Sequence, residues 1–363
     1  MTKKPLLWTV ALALILMMLI TPALGPASQA APSAPERATA GVAEVGEPGW
    51  VQRTPETVPP ARSEHAMAYD AARGVTVLFG GWNYSGNLDD TWEWDGDDWV
   101  QRTSATAPSA RMAPAMAYDA ARGVTVLFGG YNDGGALGDT WEWDGVDWVQ
   151  RTPAAAPSAR GLGAMAYDAA RGVTVLFGGW YYDYGHYYLN DTWEWDGVVW
   201  VQRTPAAAPT GRSIAAMAHD AARGVTVLFG GFNGGFLGDT WEWDGTDWLQ
   251  RTPATAPSAR YGSAMAYDAA REVSVFFGGT DGTYYPQNDT WEWDGLDWMA
   301  RAPESMPPAR ELYAMVYDSA RGLTVLFGGG GSGGWLDDTW EYPTLAEWTV
   351  YAPMIMRAYQ PGP

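Results

Sequence analysis

A phrase that recurs six times constrains the fold of this chain more than any other feature of its sequence. The phrase Ala-Met-Ala-Tyr-Asp, in four identical and two variant copies, begins at Ala66, Ala115, Ala164, Ala216, Ala264 and Ala314. Each copy continues, with small variations, through Val-Thr-Val-Leu-Phe-Gly-Gly, a variable segment, Asp-Thr-Trp-Glu-Trp-Asp-Gly and Trp-Val-Gln-Arg-Thr-Pro. The copies are spaced by 48 to 52 residues. Repeats of this length indicate one supersecondary unit that stacks against copies of itself.

Each copy reads as four short antiparallel strands joined by tight turns. In the first copy the predicted strands are 66–69, 75–79, 91–94 and 99–102. Asp-Ala-Ala-Arg-Gly and Asp-Gly supply the turns, with glycine where a positive φ is needed. The first strand is rich in Ala and the last two carry three Trp, so each sheet is a wedge. Six wedges close into a ring, and the prediction is an all-β, six-bladed propeller with both faces of each sheet covered.

The repeats resemble kelch repeats of the galactose-oxidase-like β-propeller superfamily. The marks are the doublet Gly80-Gly81 after the second strand and the pair Trp94-Asp95 followed by Trp99. Two departures, Trp where the family usually has Tyr and a short turn before the final Trp, suggest a bacterial-type variant. The resemblance covers residues 49–350 and implies six blades. Their repeats lie near 62–103, 111–152, 160–204, 212–252, 260–302 and 310–350.

The sixth copy lacks its fourth strand. Copies one to five each carry three arginines, but the end of copy six, Glu347-Trp348-Thr349-Val350, lacks the third. The segment Gly49–Pro55, Gly-Trp-Val-Gln-Arg-Thr-Pro, matches the missing strand. We therefore predict that the N-terminal strand completes blade six as a clasp. Closure by Trp348 is the alternative.

The N-terminal residues have the order of a secretory signal. Lys3 and Lys4 precede an apolar run over 6–20 and a small-residue stretch that ends at Ala30. An uncleaved membrane anchor is the alternative, but the run is shorter than the roughly 20 residues that a bilayer span needs. The prediction is a signal peptide over 1–30, an Ala/Pro-rich leader over 31–48, and a secreted chain without a membrane span after cleavage. Residues 351–363 form an appended tail.

Composition excludes several classes of chemistry. The chain has no Cys, only three His and a formal net charge of -20. The negative charge argues against nucleic acid as a partner, and the absence of Cys excludes thiolate sites. The copper site of galactose oxidase, which needs a Cys, cannot be carried over. His65 and His219 belong to opposite blades and cannot share a metal, so no metal or cofactor is expected.

The segments between the second and third strands vary, whereas the tight turns at the opposite ends of the strands are nearly identical. Because a single site should break the symmetry, we predict a binding face built by the variable segments. The candidate ligand-binding residues are Trp82, Tyr84, Tyr131, Trp180, Tyr182, Tyr184, His186, Tyr187, Tyr188, Phe232, Phe236, Tyr284, Tyr285 and Trp335. Such rings suit stacking on sugars or anchoring a protein. The alternative is that they fold back and only cap the blades.

Repeated charged residues give weaker candidates. Those placed at the mouth of the central tunnel are Arg62, His65, Arg111, Arg160, Arg212, Arg260 and Arg310. A ring of arginines could attract an anionic ligand, but pairing with the Asp before each Thr-Trp is favoured because both residues recur in step. Glu93 and its five equivalents invite a glycosidase pair, yet their recurrence favours ion pairs with residues such as Arg102.

The function predicted from sequence is a secreted, non-catalytic propeller that binds extracellular glycan or protein. One alternative is a carbohydrate-active enzyme that uses loop carboxylates such as Asp133, Asp183 or Asp281. The other is a purely structural surface module.

Overall fold

The computed structural model describes residues 49–183 and 185–343, which form six four-stranded antiparallel sheets. These residues contain strands and turns only, and none of them forms a helix that could cross a membrane. The predicted signal peptide, the leader, Tyr184, Trp348 and the C-terminal tail lie outside the described residues. The all-β, six-bladed propeller predicted from the repeats is confirmed.

The blades have nearly the strand bounds that the repeat predicts. Blade 1 consists of Ala66–Asp70, Val75–Phe79, Thr91–Trp94 and Trp99–Arg102. Blade 2 consists of Ala115–Asp119, Val124–Asn132, Gly135–Trp143 and Trp148–Arg151. Blade 3 consists of Ala164–Asp168, Val173–Phe177, Thr192–Trp195 and Trp200–Arg203. Blade 4 consists of Ala216–Asp220, Val225–Phe229, Thr240–Trp243 and Trp248–Arg251. Blade 5 consists of Ala264–Asp268, Val273–Asp281, Pro286–Trp293 and Trp298–Arg301. Blade 6 consists of Ala314–Asp318, Leu323–Phe327, Thr339–Pro343 and the N-terminal strand Val51–Arg53.

The variable segments carry more strand than the sequence indicates. In blades 2 and 5 the second and third strands continue into them as long hairpins. In blades 1, 3 and 6 they form separate small hairpins, and in blade 5 an extra strand pairs with the second strand. The bounds of these extra strands are Trp82–Asn83, Gly86–Asn87, Trp180–Tyr182, His186–Tyr188, Arg260–Tyr261, Gly330–Gly331 and Gly334–Trp335. The variable face is therefore built largely from hydrogen-bonded hairpins.

Burial falls from the centre of each blade to its outer edge. In blade 1, Val77 is fully buried and Trp99, which begins the outer strand, is 1% exposed. Beyond Trp99, however, Val100 is 40% exposed and the rest of that strand is also exposed. The prediction that both faces of every strand are covered is wrong for the outer strands, because wedge-shaped blades diverge toward the rim.

The outer-strand tryptophan of each blade bonds to the preceding blade. In blade 2, the indole Nε1–H of Trp148 donates to Thr91 Oγ1 of blade 1 at 2.9 Å. The five equivalent bonds are Trp200–Thr140, Trp248–Thr192, Trp298–Thr240, Trp50–Thr290 and Trp99–Thr339. All six bonds are buried and measure 2.9 or 3.0 Å. The ring is thus closed by one repeated contact.

The predicted N-terminal clasp is confirmed. Val51, Gln52 and Arg53 pair with the third strand of blade 6 in the register of the other outer strands. Trp50 is 1% exposed and lies 5.2 Å from the ring of Phe277 in blade 5. The Trp50 backbone N–H also donates to the Ser305 carbonyl at 2.9 Å. The start of the described chain therefore supplies the sixth of six equivalent tryptophans.

Replacement of Trp50 by Ala should destabilise the whole ring as strongly as Trp148→Ala does in the middle of the chain. Both changes remove a buried indole and its interblade bond, and the expected loss is about 3–5 kcal/mol in the free energy of unfolding. The control is Val51→Ala, an exposed site on the same strand, which should cost under about 0.5 kcal/mol. Denaturant unfolding measures all three. A Trp50→Ala cost close to that of Val51→Ala would contradict a closing role for the clasp.

Candidate functional site

The repeated arginines near the channel mouth are structural. The side chain of Arg62 is fully buried, and its two terminal nitrogens donate to both carboxylate oxygens of Asp90 at 2.6 and 2.7 Å. Burial opposes ionisation of Asp90, but the hydrogen bonds and charge of Arg62 outweigh burial and lower the pKa of Asp90. The equivalent pairs are Arg111–Asp139, Arg160–Asp191, Arg212–Asp239, Arg260–Asp289 and Arg310–Asp338. The pairing alternative is confirmed, and these guanidinium groups do not line an open anion site.

The repeated glutamates are structural as well. Glu93 is 1% exposed and accepts hydrogen bonds from Arg102 at 2.7 Å, as predicted, and also from Arg73. Its third partner is the indole of Trp143 in blade 2, at 3.1 Å. The sequence did not indicate this interblade bond, which recurs at Glu142, Glu194 and Glu242. Carboxylates that are held in this way are not available as a catalytic pair.

Six residues form a closed ring of backbone hydrogen bonds at the mouth of the central channel on the variable face. The backbone N–H of each donates to the carbonyl of its counterpart in the preceding blade, over distances of 2.7 to 3.2 Å. All six have a positive φ, between 55° and 71°. The ring consists of Glu64, Ala113, Leu162, Ile214, Gly262 and Leu312. Five of them are not glycine, and such strained residues persist only where the surrounding structure holds them in place.

The ring surrounds a central depression of about 140 Å³. Its other lining residues come from the positions just after the ring, among them His65, Ser263 and Tyr313. Below the depression, the channel continues between the six Ala-Met pairs that begin the inner strands, and this part has a volume of about 170 Å³. The channel is nearly the same in every blade, whereas the depression is lined by different residues in each. The depression is therefore where the centre of the molecule loses its symmetry.

Two carboxylates break the symmetry here: Glu64 lines the depression, and Glu311 immediately precedes the ring residue Leu312. Glu64 stands where the other blades have Ala, Leu, Ile, Gly and Leu, and Glu311 stands where they have Ser, Met, Gly, Ser and Tyr. They belong to neighbouring blades, since the Glu64 N–H donates to the carbonyl of Leu312 at 2.8 Å. Glu311 is 8% exposed. This pair is not among the site residues predicted from the sequence, although both positions are exceptions to the repeat.

Burial controls the ionisation of the groups at the depression. Burial and, to a smaller extent, the charge of Glu311 together raise the pKa of Glu64 to about 7. Burial also raises the pKa of Glu311, against the hydroxyls of Thr280 and Tyr261, which lower it. Burial and then the charge of Arg62 lower the pKa of His65 to about 3. His65 is therefore a neutral imidazole near pH 7, and neither of its ring nitrogens has a hydrogen-bond partner of normal geometry among the described residues.

The aromatic residues of the variable segments form three clusters around the depression. The first joins blades 6 and 1, where Trp335 contacts Trp82 and Tyr84 at ring-centre distances of 4.5 and 3.9 Å. The second joins blades 2 and 3 and consists of Tyr131, Trp180, Tyr182 and His186. The third joins blades 3 to 5 and consists of Tyr188, Phe232, Phe236, Tyr261 and Tyr284. Tyr261, which was not predicted, contacts both phenylalanines of this third cluster. The rings therefore do pack on one another, as the capping alternative expects.

Several rings nevertheless project from the clusters. The exposed tyrosines and their exposed fractions are Tyr84 85%, Tyr182 42%, Tyr187 47%, Tyr284 56% and Tyr285 64%. His186 is exposed as well, and the other predicted rings that the structure describes are half-buried, except for Tyr131. That residue is 3% exposed and its hydroxyl donates to the Trp180 carbonyl, so it supports the face without lining it. Tyr184 lies outside the described residues.

The predicted loop carboxylates lie in the variable segments of three different blades and do not form a pair. Asp281 accepts bonds from Ser258 and Thr283, and Asp133 accepts one from Asn87 at 3.1 Å. Asp183 is an exposed turn residue in the blade 3 hairpin. No three His, Asp or Glu residues within 49–183 and 185–343 come close enough together to hold a metal ion.

Comparison with known proteins supports the fold alone. No protein-family model and no curated protein matches the sequence. Among solved structures, the chain is similar to the one titled "Structure of YjhT", with a TM-score of 0.62 and 15% identity. The match covers 80% of this chain and 97% of that one. The chain thus shares a propeller fold with a distant relative in structure.

Replacement of Glu64 by Gln should change the pH dependence of stability. A carboxyl whose pKa rises from 4.5 unfolded to about 7 folded remains protonated in the native state while the unfolded chain ionises. The free energy of unfolding of the wild type, relative to Glu64→Gln, should therefore fall by about 3 kcal/mol between pH 4.5 and about pH 8 and level off above. Denaturant unfolding at several pH values measures it. A difference that is flat with pH would mean that Glu64 ionises as it does in water.

Proposed function

We propose that the protein is a secreted, non-catalytic, kelch-type propeller that binds an extracellular protein through its variable face. The observation that carries this proposal is the set of exposed tyrosines around a central depression on the one face where the blades differ. Tyrosine supplies a large contact area at a low cost in conformational entropy, and it is enriched in protein interfaces. Non-equivalent residues from several blades could thus engage one partner at once.

The composition of the variable segments resembles that of an antibody combining site. The segments 82–89, 131–138, 180–190, 232–238, 280–288 and 330–337 are dominated by aromatic residues, Gly, Asn and Asp, with a few Ser and Thr. In antibodies, Tyr and Trp anchor the contact while Ser, Gly and Asn adapt their hydrogen bonds. The small hairpins that carry Tyr84 and Tyr182 give these rings a firm support. This combination favours a protein partner over a glycan, although stacking on sugar faces uses the same rings.

Secretion and kelch membership belong to the same proposal. The basic and apolar order of residues 1–30 supports export, and the absence of Cys is compatible with any redox compartment. The glycine doublets and the Trp-Asp pairs of the six repeats support a kelch origin.

A second candidate function, acid–base catalysis on a small ligand, is favoured by one observation. Glu64 has a pKa of about 7 beside a second carboxylate, and such a group can act as a general acid near neutral pH. A screen of glycoside and ester hydrolysis distinguishes this candidate. Turnover that Glu64→Gln abolishes would support catalysis. Absence of turnover would contradict this second candidate and retain the binding function.

The binding proposal is tested by exposing an array of extracellular proteins and glycans to the chain from Ala31 onward. For a protein captured there, Tyr84→Ala, Tyr187→Ala and Tyr285→Ala should weaken binding by about 1–3 kcal/mol where the ring is an anchor, and by much less elsewhere. Because all three rings are exposed, stability should change little.

The matched controls are Val146→Ala and Leu296→Ala, exposed apolar residues in the tight turns of the opposite face. These changes should leave affinity unaltered. Weaker binding by the controls, with no effect of the three tyrosines, would move the interface to the opposite face and refute the proposal. Capture of glycans only would replace protein with glycan as the partner class.

A further inference from the structure

We infer that the central depression is a socket for a basic side chain, lysine or arginine, of the bound protein. This inference rests on the proposed function and names the chemistry by which the partner is recognised. Glu64, which lines the depression, would receive the charge, and Glu311 of the neighbouring blade would add negative charge behind it. His65 would accept a hydrogen bond, and the apolar ring residues would hold the stem.

The first support is that Glu311 is an exception among the buried acids. Apart from its neighbour Glu64, every other buried Asp or Glu in the described ranges forms an ion pair with Arg, and Asp168 also lies near His219. Glu311 has no ion pair there, and its Oε2 has no hydrogen-bond partner. A buried carboxylate without a cation is costly in free energy, and an incoming cation would offset that cost. The free protein therefore lacks the one partner that this site is suited to take.

The second support is independent of the acids. His65 is 6% exposed and lines the depression, yet neither of its ring nitrogens has a side-chain hydrogen-bond partner, and only the backbone of Phe327 lies within reach of the ring. Being neutral, the imidazole offers a lone pair to an N–H donor and does not repel a cation. An ammonium or guanidinium group carries several N–H donors and no acceptor, which matches a site that contains carboxylates and a free imidazole acceptor.

The third support is the shape and the wall of the depression. Leu162, Ile214 and Leu312 line it and are only half-buried. Lysine and arginine place their methylene stems along apolar surface while the charged head reaches polar groups. A volume of about 140 Å³ accommodates one such side chain and little more.

The fourth support is the charge around the socket. None of the six variable segments contains Lys or Arg, whereas five of them contain Asp. The arginines nearest the depression, such as Arg62, are buried in ion pairs with their own aspartates. A basic partner would thus be attracted to this face, and an acidic partner would be repelled.

The test uses fluorescent hexalysine as the probe, with fully Nε-acetylated hexalysine as its uncharged counterpart, and measures binding by fluorescence polarisation. The wild type should bind hexalysine and not the acetylated peptide. Glu64→Gln and Glu311→Gln should each weaken that binding about tenfold. The matched control is Asp97→Asn, which removes one negative charge from an exposed turn on the opposite face and should change binding less than about twofold.

Equal losses in all three variants would mean that only the overall negative charge attracts the peptide, and would overturn the inference. Absence of hexalysine binding by the wild type would overturn it as well. Binding of glucosamine oligomers but not hexalysine would assign the depression to an amino sugar and contradict a basic side chain. Both Gln substitutions conserve shape and remove an ionisable group, and denaturant unfolding verifies that each variant is folded.

Failure of this inference is distinguishable from failure of the proposed function. If a captured protein loses affinity with the tyrosine variants but not with Glu64→Gln or Glu311→Gln, the variable face remains the interface and the socket is refuted. If neither set has an effect, both proposals fail.

Discussion

The ring depends on a bond that no blade can make alone. The indole N–H of each outer-strand tryptophan is buried, and its acceptor is a threonine of the preceding blade. An unpaired buried donor costs about 1–3 kcal/mol, so a blade is stable only when its neighbour is in place. The first blade needs the sixth, and the sixth needs Trp50 from the beginning of the ring. Closure therefore follows from hydrogen-bond satisfaction as much as from apolar burial.

The bond between tryptophan and threonine is kept where blade 6 departs from the repeat at the indole–glutamate contacts. In blade 6, Tyr342 stands in place of a tryptophan, and its ring lies 5.5 Å from the guanidinium of Arg271. In blade 1, the indole N–H of Trp94 has no hydrogen-bond partner among the described residues.

The same repetition separates the residues that build the protein from those that can give it a function. The residues that recur in every blade, such as Arg62 and Glu93, form ion pairs inside the fold and are not available to a ligand. The variable face holds the exceptions, and at its centre a ring of strained backbone supports two carboxylates that the repeat does not explain. Strain at φ near 55° in residues as unsuited to it as Ile214 is maintained by the surrounding hydrogen-bonded ring. A symmetric scaffold can thus carry an asymmetric site, because the six loops and the ring residues change without disturbing the interblade bonds.

What the sequence predicts well is what it repeats. Six copies of one strand pattern gave the blade number, the strand bounds and the clasp, since Trp50 and Arg53 have the spacing of the missing strand. The Arg62–Asp90 pair was predictable because both residues recur in step. Glu64 and Glu311 were not, because each is a single substitution in one copy and only the fold brings them into neighbouring blades. The positive φ at Leu162 or Ile214 has no sequence signal, since such residues disfavour it. The contacts among the aromatic rings depend on small hairpins in the variable segments, and the sequences of these segments carry no clear strand pattern that would predict the hairpins.

The central claim is that the face where the blades differ is the face that binds. Hydrogen–deuterium exchange, measured by mass spectrometry with and without a partner protein selected on the array, tests it directly. Backbone amides of the variable segments 82–89, 280–288 and 330–337 should exchange more slowly in the complex, while the repeated turns 70–74 and 95–98 exchange as in the free protein. Protection confined to those turns, with the variable segments unchanged, would contradict the claim.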